Sequence, residues 1–190
     1  MTRTTIASVN RPFIPLDDRS LAVKAAAVIL GTALLALSSL VEVPMVPVPV
    51  TLQTLAVTLI GALYGWRLGA LTVAAWLAEA AAGLPVLAGG AGGLAHFAGP
   101  TAGYLFAFPL AAALVGWLAG RGWNGRRPVL AFVAMLAGNG ACLAFGGAWL
   151  AALIGAEKAL AFGVLPFLVG ALLKSALGAC LLSLLSRRVR

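Results

Sequence analysis

Lys174 has more chemistry to offer than any other residue in this sequence. It stands in the apolar stretch 166–186, about eight residues from its start, which is roughly 12 Å along a helix at about 1.5 Å per residue. An ammonium that deep among Leu, Val and Ala is costly unless it faces a cavity or a partner, and such cations usually serve function. Three and four positions away lie Gly170, Ala171, Leu177 and Gly178, which leave room and supply no counter-charge. An anionic ligand is the natural partner. The structural alternative is a lysine that snorkels to an interface or bonds helix carbonyls. Thr51 and Gln53 stand where a segment bearing Pro44, Pro47 and Pro49 enters a helix. There, hydroxyl, amide and free backbone N–H groups can all be offered to a ligand. Thr51 suits plain helix capping equally well. Tyr104 follows Gly99-Pro100-Thr101-Ala102-Gly103 by one residue, where a phenol can meet a ligand or simply join an interfacial aromatic belt. Asn139, between Gly138 and Gly140, reads first as a hydrogen-bonding link between helices and is also a candidate ligand contact.

Together these groups suit recognition of a small molecule better than catalysis. One histidine and five acidic residues leave no acid–base pair within an apolar stretch, so an enzyme is not expected. Cys142 and Cys180 both lie inside apolar segments, where helix packing is a better account than a disulfide or a metal. Gly89-Gly90-Ala91-Gly92-Gly93 is followed by no lysine, so it is no phosphate loop. Any ATP-driven step would need a partner.

The elements that carry these residues are membrane spans. Of 190 residues, 62% are hydrophobic and 9% charged, against about 25% charged in soluble domains. Long stretches without a charge, such as 25–41 and 128–156, match the ~20 apolar residues that cross a bilayer. Six helices are expected, over about 21–41, 52–64, 68–83, 100–119, 129–153 and 166–186, with 155–165 a connecting loop holding a short helical piece. Six spans put eleven basic residues on one side, from Arg3 through Arg67, Arg121 and Arg127 to Arg190, and only Lys158 on the other. The positive-inside rule then places both termini in the cytoplasm. Residues 1–20 become a cytoplasmic tail, and 21–190 a six-helix membrane domain. The net charge of +8 reflects this topology and not nucleic-acid binding. The outer connections, 42–53 and 84–99, are apolar and rich in Pro and Gly. Irregular backbone at that depth belongs over a cavity, so they are expected to roof an external ligand pocket. Most of the five tryptophans, Trp66, Trp76, Trp117, Trp123 and Trp149, fall at predicted span ends, as interface anchors would.

Several motifs in one order resemble a known family. They are Val48-Pro49-Val50-Thr51-Leu52-Gln53-Thr54, Gly83-Leu84-Pro85-Val86, Gly99-Pro100-Thr101-Ala102-Gly103-Tyr104, and Pro166-Phe167 through Lys174. Over about 21–187 the chain is similar to the BioY family, the biotin-binding S components of energy-coupling factor (ECF) transporters. Two positions depart from that family's pattern: Ala171 stands where it has Asp, and Ala102 where it has Gly. The resemblance implies an all-α, six-helix subunit in the cell's inner (plasma) membrane. It would take up biotin, alone or with a membrane T component and a pair of ABC-type ATPases. Biotin would be the transported ligand, with no cofactor, and Lys174 would bind its carboxylate. The alanine face of the first helix, Ala22, Ala26, Ala33 and Ala36, would dock the T component. Self-association stays open, as do an S component for another small vitamin and a structural membrane protein without a ligand.

Overall fold

The computed structural model describes Leu16 and residues 18–188; most of the expected 1–20 tail lies outside the described residues. Helix α1 spans Leu21–Ser39 and opens on Ser20, whose hydroxyl accepts from Val23 N–H at 3.5 Å. Its buried residues are Gly31, Thr32, Leu35 and Ser39, while Ile29, Leu30, Leu34 and Leu37 are exposed. An outward apolar face of that length suits lipid and not water.

A short antiparallel ribbon follows, β1 (Glu42–Val43) against β2 (Val50–Thr51), with Glu42 opposite Thr51 and Val43 opposite Val50. The sequence predicted only irregular backbone here. The strands close the proline loop on itself and give part of its backbone a partner.

Helix α2, Gln53–Ala81, is interrupted at Gly65, which takes φ 80° and ψ 173°. A Cβ built on Gly69 would lie 2.9 Å from Gly61 Cα, whereas eight residues of straight helix would separate those positions by about 12 Å. The two halves of α2 therefore fold back on each other, and the break falls inside the gap between the predicted helices 52–64 and 68–83. Turns of 3₁₀ helix at Ala88–Gly90 and Leu94–Phe97 lead to α3, Ala102–Gly120. Helix α4 runs from Pro128 to Ile154, with proline in its first turn.

The last segment differs from expectation. Residues 155–165 are no loop: α5 (Ala156–Ala159) passes through a π turn (Leu160–Val164) straight into α6 (Leu165–Arg188). Ala156, Glu157, Lys158, Ala159 and Leu160 are strong helix formers. The π turn sits just before Pro166, where a wider turn relieves the clash and missing donor that proline imposes. The chain bend lies at Gly155, at φ 89°.

Five segments are long and apolar enough to cross a membrane: Leu21–Ser39, Gln53–Ala81, Ala102–Gly120, Pro128–Ile154 and Ala156–Arg188. They meet through small residues, as apolar helices without a solvent-driven force must. Gly61 faces the backbone of Ala112, and Gly178 faces the Met135 sulfur. One core gathers Leu35, Val57, Ile60, Val73, Trp76 and Leu150, and a second Met135, Ala131 and Leu182. Trp76 is thus no interface anchor; it is fully buried and donates Nε1–H to Val86 O at 3.1 Å.

Candidate functional site

A cavity of about 220 Å³ lies under the ribbon and the 3₁₀ turns, lined by α2, α3, α4 and α6 and by the connections above them. The ribbon segment contributes Val48, Pro49 and Thr51, the start of α2 Gln53 and Thr54, the 3₁₀ turns Leu87 and His96, and α3 Tyr104 and Phe108. Asn139 and Cys142 come from α4, and Phe167, Ala171 and Lys174 from α6. The five residues singled out by sequence, Thr51, Gln53, Tyr104, Asn139 and Lys174, all face this one space.

Their hydrogen bonds give them different tasks. Lys174 Nζ donates to Thr51 O at 3.1 Å, which ties α6 to the ribbon and leaves two of the ammonium's three donors. Alanine at 171 brings no carboxylate to this wall; its carbonyl accepts from Ser175 Oγ at 2.7 Å. Gln53 is buried and braced. Its Nε2 donates to Ser39 Oγ at 2.9 Å, and its Oε1 accepts from Thr51 Oγ1 at 2.9 Å. Thr51 Oγ1 also accepts from Gln53 N–H at 3.3 Å. A polar chain therefore runs from the end of α1 through the head of α2 and the ribbon to Lys174.

Tyr104 donates its hydroxyl to Gly163 O, inside the π turn, at 2.7 Å. Its ring stacks on Phe167 with centroids 6.2 Å apart and fits only because Gly146 has no side chain, since a Cβ there would fall within the ring. The phenol thus latches α3 to the last helix while the ring forms cavity wall. Asn139, 2% exposed, donates Nδ2–H to Met135 O at 3.0 Å and to Ser175 Oγ at 3.2 Å. Both amide protons are engaged, and among the described residues no donor reaches Oδ1. Thr54 Oγ1 is buried without a hydrogen-bond partner. A buried hydroxyl left open beside a cavity costs stability unless something fills it.

Sequence reasoning missed Ser39, Thr54, His96 and Ser175. Ser175 adjoins Lys174, and Ser39 ends the first apolar run, but serines in apolar helices most often bond their own backbone. Nothing local marks these two as struts. The finished arrangement combines one ammonium, an open amide oxygen and an open hydroxyl with Tyr104, Phe108 and Phe167 as walls. It can hold a small, largely apolar molecule with one negative charge and a compact hydrogen-bonding group.

The sequence profile of the BioY family matches residues 7–190. The chain belongs to the BioY family. The Probable biotin transporter BioY of Pyrococcus horikoshii is 39% identical over 149 residues, 78% of this chain and 87% of that one. The Biotin transporter BioY of Rhizobium etli is 40% identical over 143 residues, 72% of this chain and 76% of its own length. A crystal structure of the S-component for biotin from an ECF-type ABC transporter aligns with a TM-score of 0.76 at 26% identity, over 89% of this chain and 95% of that one. The chain is accordingly a multi-pass membrane protein with an S-component-like helical fold. Three of the four motifs that carry the BioY resemblance converge on the cavity, through Thr51, Gln53, Tyr104 and Lys174.

Proposed function

We propose that this chain binds biotin in the cavity under the ribbon and acts as the S component of an ECF-type transporter. The observation that carries the reading is an ammonium, Lys174 Nζ, in a largely apolar cavity, held by a single backbone carbonyl. Biotin has one carboxylate, a ureido head and an apolar bicyclic body. Lys174 meets the carboxylate; Asn139 Oδ1 accepts a ureido N–H; Thr54 Oγ1 has a proton free for an acceptor. Tyr104 and Phe167 pack on the bicycle, and Gln53 and Thr51 hold the wall and the lysine in place. Charge pairing strengthens in such a site, and desolvation offsets much of it.

In this proposal the chain has six spans, residues 1–20 are a cytoplasmic tail, and 21–190 form the membrane domain with an external pocket. The reversal at Gly65 supports the count, because it splits α2 into two shorter passes. Arginine supports the orientation: Arg67, Arg121, Arg126, Arg127, Arg187 and Arg188 all lie at the end away from the cavity, which becomes the cytoplasmic face of the inner membrane. A T component and a pair of ATPases supply the energy, since this sequence has no phosphate loop. Ala22, Ala26 and Ala33 are exposed on α1 and offer the T component a smooth face.

Extraction of the purified full chain, followed by mass spectrometry of the released small molecules, tests the ligand. Biotin recovered at near one equivalent is the expected result. A different vitamin, or none after growth in biotin-rich medium, contradicts the proposal.

A further inference from the structure

The end of the bundle opposite the cavity has a feature that ligand binding does not use. At the Gly65 reversal, Arg67 Cζ lies 4.9 Å from the centroid of the Trp66 ring. At the end of α3, Arg121 Cζ lies 3.4 Å from the centroid of the Trp117 ring. The two pairs are brought to one level by a backbone contact, because a Cβ on Gly116 would fall 2.5 Å from Trp66 N and 2.6 Å from Gly65 C. Both tryptophans are partly open, at 49% and 44% exposure, and both arginines are exposed. Among the described residues neither arginine is in an ion pair. The described acids Glu42, Glu79 and Glu157 lie at the cavity end, and only Asp18 lies near this one.

We propose that the Trp66–Arg67 turn and the Trp117–Arg121 turn form a binding site for the phosphate of an anionic phospholipid. Two stacked guanidiniums present their N–H forks to a phosphate as ammonium groups cannot. Stacking also holds each fork in one place, so less conformational freedom is lost on binding. The occupant is a lipid and not free phosphate, because open indole rings beside the charges suit a molecule with tails, and indoles favour the headgroup level of a bilayer. Charge alone does not make this site. Arg126 and Arg127 are exposed at the same end, stack on no ring among the described residues, and provide the internal control.

The inference rests on the membrane-spanning reading and not on the identity of the vitamin, so either can fail while the other stands. Native mass spectrometry of the full chain in detergent tests it, with dioleoylphosphatidylglycerol, dioleoylphosphatidylcholine and sn-glycerol 3-phosphate as probes. Wild type is expected to bind phosphatidylglycerol about tenfold or more tighter than phosphatidylcholine, with glycerol phosphate far weaker than the anionic lipid. Arg67→Gln/Arg121→Gln should abolish the preference, while Arg126→Gln/Arg127→Gln should leave it within about twofold. Equal loss in the two double variants overturns the site in favour of diffuse charge. Glycerol phosphate binding as well as the lipid, or no lipid preference in wild type, overturns it without recourse to a variant.

Discussion

At the scale of single residues, the open groups of the cavity matter more than the satisfied ones. Gln53 and Tyr104 have their strongest hydrogen bonds within the protein, whereas Thr54 Oγ1 has none among the described residues and Asn139 is held through Nδ2 alone, its Oδ1 facing the cavity. Asn139→Leu is therefore expected to weaken biotin binding by about 10- to 100-fold, because a ureido N–H would be left buried without an acceptor, at about 1–3 kcal/mol. Ser175→Ala removes only the strut behind the amide and should cost less. Calorimetric titration of both variants checks the order, and the reverse order would assign Asn139 to the scaffold. Lys174 was legible in the sequence because a charge among apolar residues has few harmless explanations. Asn139 was legible only as a polar residue with two possible roles; its bond to Ser175 makes it a helix bridge, and its ligand contact is part of the proposal. Ser39 and Ser175 were not legible, because their partners lie 14 and 36 positions away and no local pattern encodes them.

At the scale of elements, the cavity depends on how closely α3, α4 and the final helix approach. Tyr104 lies over Gly146 and reaches Gly163 O in the π turn. Gly146→Ala should displace the ring, break that latch and cost about 1–3 kcal/mol of stability through overpacking. Thermal unfolding in detergent should show a lowered midpoint, and adding Tyr104→Ala to the same chain should make the second loss smaller than it is alone. Additive losses would mean that the two residues do not share a contact. Charge gaps and the length of the apolar runs located α1, α3 and α4 within a few residues. The stretch before Pro166 misled for a physical reason, since proline in a first turn and proline after a π turn read alike in sequence. The ribbon was likewise unreadable: two residues a side, Glu42–Val43 and Val50–Thr51, are too few for an alternating pattern.

At the scale of the whole molecule, one end is arginine-rich and the other carries the cavity, and this polarity was the most legible feature of the sequence. The proposed orientation predicts the outcome of labelling in a background with Cys142 and Cys180 replaced. Leu94→Cys should react with an impermeant maleimide added to intact cells, and Arg126→Cys only after lysis; the opposite pattern would invert the topology. The central claim, that the cavity holds biotin by its carboxylate on Lys174, is tested most directly by a cycle of two proteins and two ligands. Binding of biotin and of its methyl ester is measured for wild type and for Lys174→Met. Losing a charge-assisted contact is worth about 1.5–3 kcal/mol, so free biotin should bind the methionine variant about 10- to 100-fold more weakly than wild type. The ester should bind both proteins weakly and about equally. Equal affinity of wild type and Lys174→Met for free biotin would contradict the account.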